Sequence, residues 1–287
     1  MKILGGAVSE KVAVITGSSS GFGLLTTIEL ASRGYRVVAT MRDLGRRAKL
    51  DEAAARFRER IDVRCLDISR TDSVAGVIEG IVSDYGRVDV LINNAGFAMA
   101  GFAEDIALPE LRDQFETNFF GHVAVTKAIL PTMRAQKSGH VIMVSSISGR
   151  TAQPTISSYS ASKFALEGWS EALRIEVQSI GIKVVLVEPG AYDTDIWTRN
   201  SKIGRRMFEG TSPNADRARK FRDHVQSGGI KKRDPQEVVR LIARVVEDPN
   251  PKLRYVAGTD AHLQLWLKTL APWNWYEKIV AKAAKID

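Results

Sequence analysis

The chain has 287 residues, 44% of them hydrophobic, which suffices for a buried core in one large α/β domain or two small ones. Much of its net charge of +8 lies between residues 199 and 233, so it predicts a basic surface loop rather than a nucleic-acid-binding surface. The single cysteine, Cys65, excludes an intrachain disulfide, and no signal peptide or membrane-spanning run is visible, so we expect a cytoplasmic protein.

Short apolar runs rich in Val and Ile alternate with helix-like segments. Strands are predicted at residues 11–17, 35–40, 61–68, 88–96, 139–146, 182–190 and 253–258. Helices are predicted at residues 21–33, 71–85, 109–136, 159–180 and 235–247, the last opening on Asp234 and Pro235. Strands apolar on both faces, alternating with helices, predict a doubly wound α/β Rossmann fold with a parallel sheet of about seven strands. Because no linker interrupts this pattern, we predict a single domain over residues 1–287.

The stretch TGSSSGFG, residues 16–23, follows the first strand and opens the first helix. Glycines in this position let the backbone approach a pyrophosphate, and the helix N-terminus supplies free N–H groups. Their spacing differs from the common G-x-G-x-x-G pattern. We predict that this turn binds a dinucleotide through Gly17, Ser19, Ser20, Gly21, Phe22 and Gly23.

The end of the second strand, in ATMRDL, is where the adenosine ribose is expected. Met41 stands where an acidic residue would bind the 2′-hydroxyl of NAD, and Arg42 suits the 2′-phosphate of NADP. We therefore predict NADP(H) in preference to NAD(H), although Asp43 leaves a ribose contact open. After the third strand come Asp67 and Ile68, where Asp67 either accepts a hydrogen bond from the adenine or caps the next helix.

Tyr159 and Lys163, in SYSASKFALEG, are four residues apart, which places both on one face of a predicted helix. A nearby ammonium lowers the pKa of a phenol, whose ordinary value of about 10 is too high for easy proton exchange at neutral pH. This spacing is a weak signal by itself, so the other motifs of the chain decide its meaning.

Six motifs in chain order resemble those of the short-chain dehydrogenase/reductase family. They are Thr16-Gly17-x-x-x-Gly21-x-Gly23, Asn93-Asn94-Ala95-Gly96, Asn118, Ser146, Tyr159-x-x-x-Lys163 and Pro189-Gly190. The resemblance covers roughly residues 9–200. The stretches YSASKFALEG, VVATMRDL and DPNPKLRY are similar, more narrowly, to the branch that contains 17β-hydroxysteroid and retinol dehydrogenases.

The resemblance implies roles for four catalytic residues. Tyr159 is the implied proton donor or acceptor, and Ser146, ending the fifth strand, holds the substrate oxygen. Lys163 lowers the pKa of the tyrosine and binds the nicotinamide ribose. Asn118 holds a water of the proton relay, whereas the residue taken alone suggests only a polar helix kink.

The resemblance also assigns cofactor contacts beyond the glycine turn. Asn94, Ala95 and Gly96 cap a central strand, and the resemblance implies that they also contact the adenosine ribose. The implied contacts on the nicotinamide side are Pro189, Gly190 and Thr194, the last bonding the carboxamide.

Residues 191–234, after the sixth strand, are predicted to form a substrate lid. Its apolar members, Trp197, Ile203, Met207 and Phe208, suggest a hydrophobic substrate. Its basic members either solvate the lid, which we favour, or attract an acidic substrate tail.

An amphipathic extension is predicted at residues 262–287, where Trp266, Leu270, Trp273 and Ile279 recur at near-helical spacing. It is a lid, a subunit contact or a membrane-surface helix. We favour packing against the protein itself or a partner subunit over membrane contact.

Together these features predict an NADP(H)-dependent oxidoreductase that interconverts a ketone and a secondary alcohol on a hydrophobic, steroid- or retinoid-like substrate. The alternatives are a 3-oxoacyl thioester reductase with the same four residues, or a catalytically silent NADP-sensing regulator. By resemblance we expect a homodimer or homotetramer paired through the helices at 109–136 and 159–180. No metal site is expected, because the histidines are dispersed: His122, His140, His224 and His262.

Overall fold

The computed structural model describes residues 10–208, 211–224 and 232–284. Its strands are β1 (Val12–Thr16), β2 (Arg36–Met41), β3 (Ile61–Cys65), β4 (Val90–Asn93), β5 (Ala98–Ala100), β6 (Gly139–Val144), β7 (Ile182–Pro189), β8 (Ser201–Ile203) and β9 (Arg254–Ala257). Its α-helices are α1 (Gly21–Ser32), α2 (Ala48–Ala53), α3 (Thr71–Tyr85), α4 (Leu108–Phe115), α5 (Gly121–Gln136), α6 (Ser157–Val177), α7 (Arg205–Phe208), α8 (Ala215–His224), α9 (Gln236–Glu247), α10 (Thr259–Leu270) and α11 (Trp273–Ala284).

Seven of these strands form one parallel sheet in the order β3-β2-β1-β4-β6-β7-β9. The predicted Rossmann fold is confirmed, and each predicted strand is present. The strand order reverses between β1 and β4, which opens a crevice at the carboxyl ends of the strands. Ligands of such sheets bind in that crevice, so the residues that follow β1, β2, β4, β6 and β7 are brought to one place.

Each face of the sheet carries its own core. Val12 and Val14 of β1 pack into one cluster with apolar residues of α3, α5 and α6. Ala13 and Ile15, which alternate with them, pack into the other cluster with residues of α1 and α9. Since side chains of a strand alternate between faces, only a strand apolar at every position satisfies both cores. This explains the continuous Val- and Ile-rich runs of the sequence.

The structure differs from the predicted elements in three places. Residues 94–96 lie beyond the end of β4, because Asn94 turns away to bond the β1 loop. The predicted helix at 109–136 is divided into α4 and α5 by a π-helical turn, Glu116–Phe120. The pairing of β5 with β8, which joins the loop after β4 to the predicted lid, was not predicted.

The predicted lid and C-terminal extension lie partly outside the described residues. Within residues 191–234 the structure contains β8, α7 and α8, while 209–210, 225–231 and the side chain of Phe208 are not described. The extension forms two helices, since Pro272 follows the end of α10 and opens α11, and residues 285–287 lie beyond the described part. Within the described ranges, no helix combines enough length and hydrophobicity to cross a membrane.

Candidate active site

A cavity of about 1850 Å³ runs along the carboxyl ends of the sheet strands. Every catalytic or cofactor-binding residue predicted from the sequence lines it, except Gly23. These residues lie in loops that are far apart in the sequence, from Gly17 to Thr194. The parallel sheet brings these loops together. Their individual roles stay predictions, but their geometry tests whether those roles are chemically reasonable.

The glycine turn is packed too tightly for side chains. Gly17 has a φ of 71°, in the left-handed region, and a Cβ there would contact Ala95 Cα at 2.7 Å. A Cβ at Gly23 would overlap with the Gly17 carbonyl oxygen and the Asn94 side-chain amide. Gly23 is therefore absent from the cavity wall because it supports the turn from behind, which corrects its predicted role as a contact residue.

Asn94 joins the glycine turn to the end of β4. Its Nδ2 donates to the carbonyl oxygens of Thr16 at 2.9 Å and Gly17 at 3.2 Å. The Thr16 hydroxyl accepts from the backbone N–H groups of Asn94 and Ala95, both at 3.0 Å. The predicted capping of the central strands is thus present, and the ribose contact stays a prediction.

The end of β2 presents guanidinium groups to the cavity. Met41 is buried in a small core with α2, whereas the exposed Arg42 and Arg46 line the cavity. Asp43 caps a short 3₁₀ turn, its Oδ1 accepting from the Gly45 N–H at 2.9 Å. One oxygen of its carboxylate is therefore bonded to the backbone, while the side chain still lines the cavity, so the ribose contact of Asp43 stays open.

Asp67 forms a local turn rather than a helix cap. Its Oδ1 accepts from the Ser69 hydroxyl at 2.7 Å and from the Ser69 N–H at 3.1 Å. The residue that precedes α3 is Arg70, so the interpretation of Asp67 as the cap of that helix is wrong. Asp67 and Ile68 both line the cavity, and the adenine contact stays a prediction.

Ser146, Tyr159 and Lys163 meet where β6 ends and α6 begins. The Ser146 hydroxyl accepts from the Ser148 N–H at 3.1 Å and reaches the Pro189 carbonyl at 3.5 Å. Lys163 Nζ lies 5.8 Å from the centre of the Tyr159 ring and donates to the Val144 carbonyl at 2.8 Å. All three side chains are more than nine-tenths buried.

Burial controls the titration of this group. It raises the pKa of Tyr159 to about 12, although the adjacent Ser146 hydroxyl acts to lower it. Burial also lowers the pKa of Lys163 to about 8, against the opposing charge of Glu167. Desolvation is thus the main cause of the tyrosine pKa in this structure, where the ammonium donates to Val144, and the expected lowering of that pKa by Lys163 stays a prediction.

Asn118 lies in the π-helical turn and is fully buried. Its Oδ1 accepts from the Phe97 N–H at 3.1 Å, and its Nδ2 donates to the Phe97 carbonyl at 3.0 Å. A longer contact of 3.3 Å joins Nδ2 to the Ser162 hydroxyl. The helix irregularity predicted from the residue alone is present as this π turn. Such turns are frequent at functional sites. The role of Asn118 in holding a water stays a prediction.

A buried ion network supports the back of α6. Glu167, one turn beyond Lys163, lies 3.2 Å from the Arg254 guanidinium, which is also 3.2 Å from the fully buried Glu188. Burial and the neighbouring Glu167 raise the pKa of Glu188 to about 7. The network fixes the helix that carries Tyr159 and Lys163 against the last strands of the sheet.

The predicted lid contacts Tyr159. The Trp197 ring meets the Tyr159 ring edge to face, with centroids 5.6 Å apart. Thr194 lies against the glycine turn, since a Cβ at Gly21 would meet its Cβ at 3.5 Å. One segment of the predicted lid thus contacts both Tyr159 and the glycine turn.

Sequence reasoning did not name Arg46 as part of the cavity wall, and it left the C-terminal extension open between a lid, a subunit contact and a membrane-surface helix. Arg46 follows Arg42 by four residues. A second cation so close to the same strand end is a sequence signal that could have indicated its place in the cavity wall. The inner side of α11 contributes Tyr276, Val280 and Ala283, whose spacing of four and three residues indicates one helix face. Among the described residues there is no cluster of three His, Cys, Asp or Glu side chains that could hold a metal.

Comparison with known proteins gives consistent matches. The family model described as short chain dehydrogenase matches residues 11–203. The uncharacterized oxidoreductase YusZ of Bacillus subtilis (strain 168) is 40% identical, over 96% of this chain and 99% of that protein. Retinol dehydrogenase 8 of Homo sapiens is 37% identical, over 86% of this chain and 81% of that protein. The crystal structure of a short-chain dehydrogenase from Streptomyces avermitilis has a TM-score of 0.82 at 34% identity, over 95% and 98% of the two chains.

Proposed function

The chain belongs to the short chain dehydrogenase family and is an oxidoreductase acting on CH–OH groups; from this premise we propose that it uses NADP(H) to interconvert a hydrophobic ketone and its secondary alcohol. One observation carries the proposal. Ser146, Tyr159 and Lys163 line the same cavity as the glycine turn and the guanidinium groups after β2.

The residues of the glycine turn fit a dinucleotide. The turn between β1 and α1 has no side chain at Gly17 and Gly21, and it ends at a helix N-terminus, where N–H groups favour a pyrophosphate. Ser20, at the start of α1, has no side-chain bond to its own helix and accepts from Asn200 at 3.3 Å. Gly17, Ser19 and Gly21 would hold the pyrophosphate, and Thr194 the nicotinamide end.

The charges after β2 support NADP(H) over NAD(H). Arg42 and Arg46 provide two guanidinium groups that suit a 2′-phosphate. One oxygen of the nearby Asp43 carboxylate accepts from the Gly45 N–H, and the Met41 side chain has no carboxylate to accept from a ribose hydroxyl. A cofactor without the phosphate would leave both arginines without an anion.

Three of the four predicted catalytic residues, Ser146, Tyr159 and Lys163, divide the proton chemistry. When bound, the nicotinamide nucleotide supplies the hydride for reduction or accepts it in oxidation. Ser146 orients the carbonyl oxygen, and the Tyr159 hydroxyl gives its proton to that oxygen in reduction. The raised pKa of Tyr159 keeps this proton in place at neutral pH, and the protonated Lys163 favours the phenolate that remains.

The walls of the substrate end support an apolar ligand. Ile196, Trp197, Met207 and Val280 line this part of the cavity. Basic lid residues beside them have acidic neighbours: Arg199 lies 3.2 Å from Asp195, Lys202 3.8 Å from Asp113 and Lys232 3.7 Å from Asp193. Since these charges are already compensated, they support solvation of the lid rather than recognition of an acidic tail.

A homodimer is part of the proposed function. Phe120, Phe164 and Ile175, on the π turn and α6, are exposed apolar residues near the helices expected to pair. Light scattering at micromolar concentration would show a monomer if this assembly does not form.

The test is NADPH oxidation with steroid ketones, retinoid carbonyl compounds, small aromatic ketones and 3-oxoacyl thioesters, using wild type and Tyr159→Phe. The phenylalanine keeps the ring beside Trp197 and removes only the proton donor, so turnover should fall by about 10²–10⁴-fold. Tyr35→Phe is the matched control, because Tyr35 is a buried tyrosine of the α1 core that does not line the cavity.

The substrate panel separates the alternatives. Turnover of apolar ketones supports the proposal, whereas turnover confined to thioesters replaces it with an acyl thioester reductase. Tight NADPH binding with no turnover of any compound in either direction would indicate a sensing protein instead. Equal loss of activity in the Tyr159 and Tyr35 variants would contradict the role of Tyr159.

A further inference from the structure

The helix α10 exposes an apolar face to solvent, whereas an ordinary surface helix buries its apolar face. Its outward positions include Leu263, Trp266 and Leu270, which are 56%, 58% and 64% exposed. Their spacing of three and four residues places them on one helix face. A helix that packs on a globular core normally buries such a face, so this one is directed away from the protein.

Polar side chains hold α10 in this orientation. Asp260 accepts from the Ala191 N–H at 2.8 Å, and Gln264 accepts from Gln153 at 3.1 Å. Lys268 donates to the Arg150 carbonyl and lies 5.1 Å from the centre of the Phe164 ring. Rotation of the helix to bury its apolar face would break all of these contacts, so the outward face is fixed by the fold.

The apolar surface continues around the corner between α10 and α11. Trp273 and Trp275, at the start of α11, are 65% and 66% exposed. We call Leu263, Trp266, Leu270, Trp273 and Trp275 the tryptophan face. Tryptophan combines an apolar ring with an N–H donor and is enriched where apolar and aqueous phases meet.

The charges beside the tryptophan face favour an anionic surface over a second copy of the chain as its partner. Lys278 and Lys282 are exposed one turn apart on α11, and within the described part of the chain neither forms an ion pair. A two-fold contact of two copies through this face would bring the same lysines of both copies together. An anionic surface would instead be attracted to these two lysines.

We propose that the tryptophan face docks onto an anionic lipid surface, with its rings in the headgroup region and Lys278 and Lys282 near the lipid phosphates. The opposite side of α11, through Tyr276, Val280 and Ala283, lines the cavity. This docking therefore brings the cavity wall next to the phase in which an apolar substrate dissolves, a consequence that rests on the proposed function.

The experiment measures co-sedimentation of the full chain with vesicles, without cofactor or substrate. Vesicles of phosphatidylcholine are compared with vesicles that contain about 30% phosphatidylglycerol, at low and high salt. Wild type should bind the anionic vesicles, with a blue shift of its tryptophan fluorescence, and salt should weaken the binding. Leu263→Gln with Trp266→Gln and Leu270→Gln should reduce the partition coefficient at least about tenfold.

Two further variants keep the result interpretable. Leu44→Gln changes an exposed apolar residue of the short turn after β2, outside the cavity and the proposed dimer surface, and should bind like wild type. Lys278→Gln with Lys282→Gln should lose the preference for anionic vesicles while it keeps the apolar face. Thermal unfolding of each variant should match wild type, because all these side chains are exposed.

The outcomes separate this proposal from others. Binding of wild type to neither vesicle overturns it, as does equal binding by the triple variant. A dimer that the triple variant converts to a monomer, with no vesicle binding, would assign the face to a second copy. Because no turnover is measured, failure of the proposed reaction would leave this result unaffected.

Discussion

Lys163 Nζ lies 5.8 Å from the centre of the Tyr159 ring and donates its hydrogen bond to Val144, not to the tyrosine hydroxyl. The lysine is therefore placed to act on the phenol through its charge while a backbone carbonyl fixes its position. With burial lowering the pKa of Lys163 to about 8, this charge is present at neutral pH and is lost in mildly alkaline solution.

Reductase activity is accordingly expected to decline as pH rises through about 8, because deprotonated Lys163 no longer stabilises the phenolate. Lys163→Met should reduce turnover at least about 100-fold and remove this decline, since the titrating group is gone. Lys49→Met, an exposed lysine of α2, is the control and should retain the wild-type profile. A wild-type profile that is flat across this range would contradict the assignment.

Removing Arg42 is expected to change cofactor preference rather than turnover. Arg42→Ala should raise the Kd for NADPH about tenfold or more and leave that for NADH unchanged, because a charge-assisted bond to the 2′-phosphate is lost. Fluorescence titration of the two nucleotides measures this difference. Arg58→Ala removes an exposed arginine that does not line the cavity and should change neither constant. An equal loss for NADH would show that Arg42 supports the fold and not the phosphate.

Two glycine-to-alanine changes are expected to have opposite effects. Gly23→Ala places a Cβ against the Gly17 carbonyl and should distort the turn, lowering both thermal stability and nucleotide affinity. Gly76→Ala lies inside α3 with no atom near the added methyl group, and should stabilise the protein by about 0.5–1 kcal/mol. Thermal unfolding and nucleotide titration of both variants measure the contrast. Unchanged nucleotide affinity in Gly23→Ala would contradict the tight packing of the turn.

His122 predicts how the protein responds to acid. It is fully buried, its Nε2 lies 2.7 Å from the Ala95 carbonyl oxygen, and burial lowers its pKa to about 3. Between pH 6.5 and 3 the unfolded chain binds a proton at this residue that the folded chain excludes. Stability therefore falls as pH decreases through this window, by an amount on the order of 5 kcal/mol.

The variant His122→Gln keeps a hydrogen-bond donor but cannot titrate. Chemical unfolding at a series of pH values should give a shallower slope below pH 6.5 than wild type, whatever the stability at neutral pH. Parallel curves for wild type and His122→Gln would contradict this prediction.

The sequence alone determined the sheet and the candidate site, because both have local signatures. Continuous apolar strands indicate that both faces of the sheet are buried. Glycines between a strand and a helix indicate a tight turn that leaves room for a pyrophosphate. The spacing of Tyr159 and Lys163 likewise follows from helix periodicity. The strands and the glycine turn are recognised locally, whereas the meaning of the tyrosine–lysine spacing came from the resemblance carried by the other motifs of the chain.

Only the tertiary structure decided the properties that depend on distant partners. The π turn at Asn118 coincides with its bonds to Phe97, and the high pKa of Tyr159 comes from burial that no local spacing encodes. The orientation of α10 was also beyond the sequence, because periodicity identifies an apolar face but not the side on which it lies. That choice was made by Asp260, Gln264 and Lys268, whose hydrogen-bond partners lie far away in the chain.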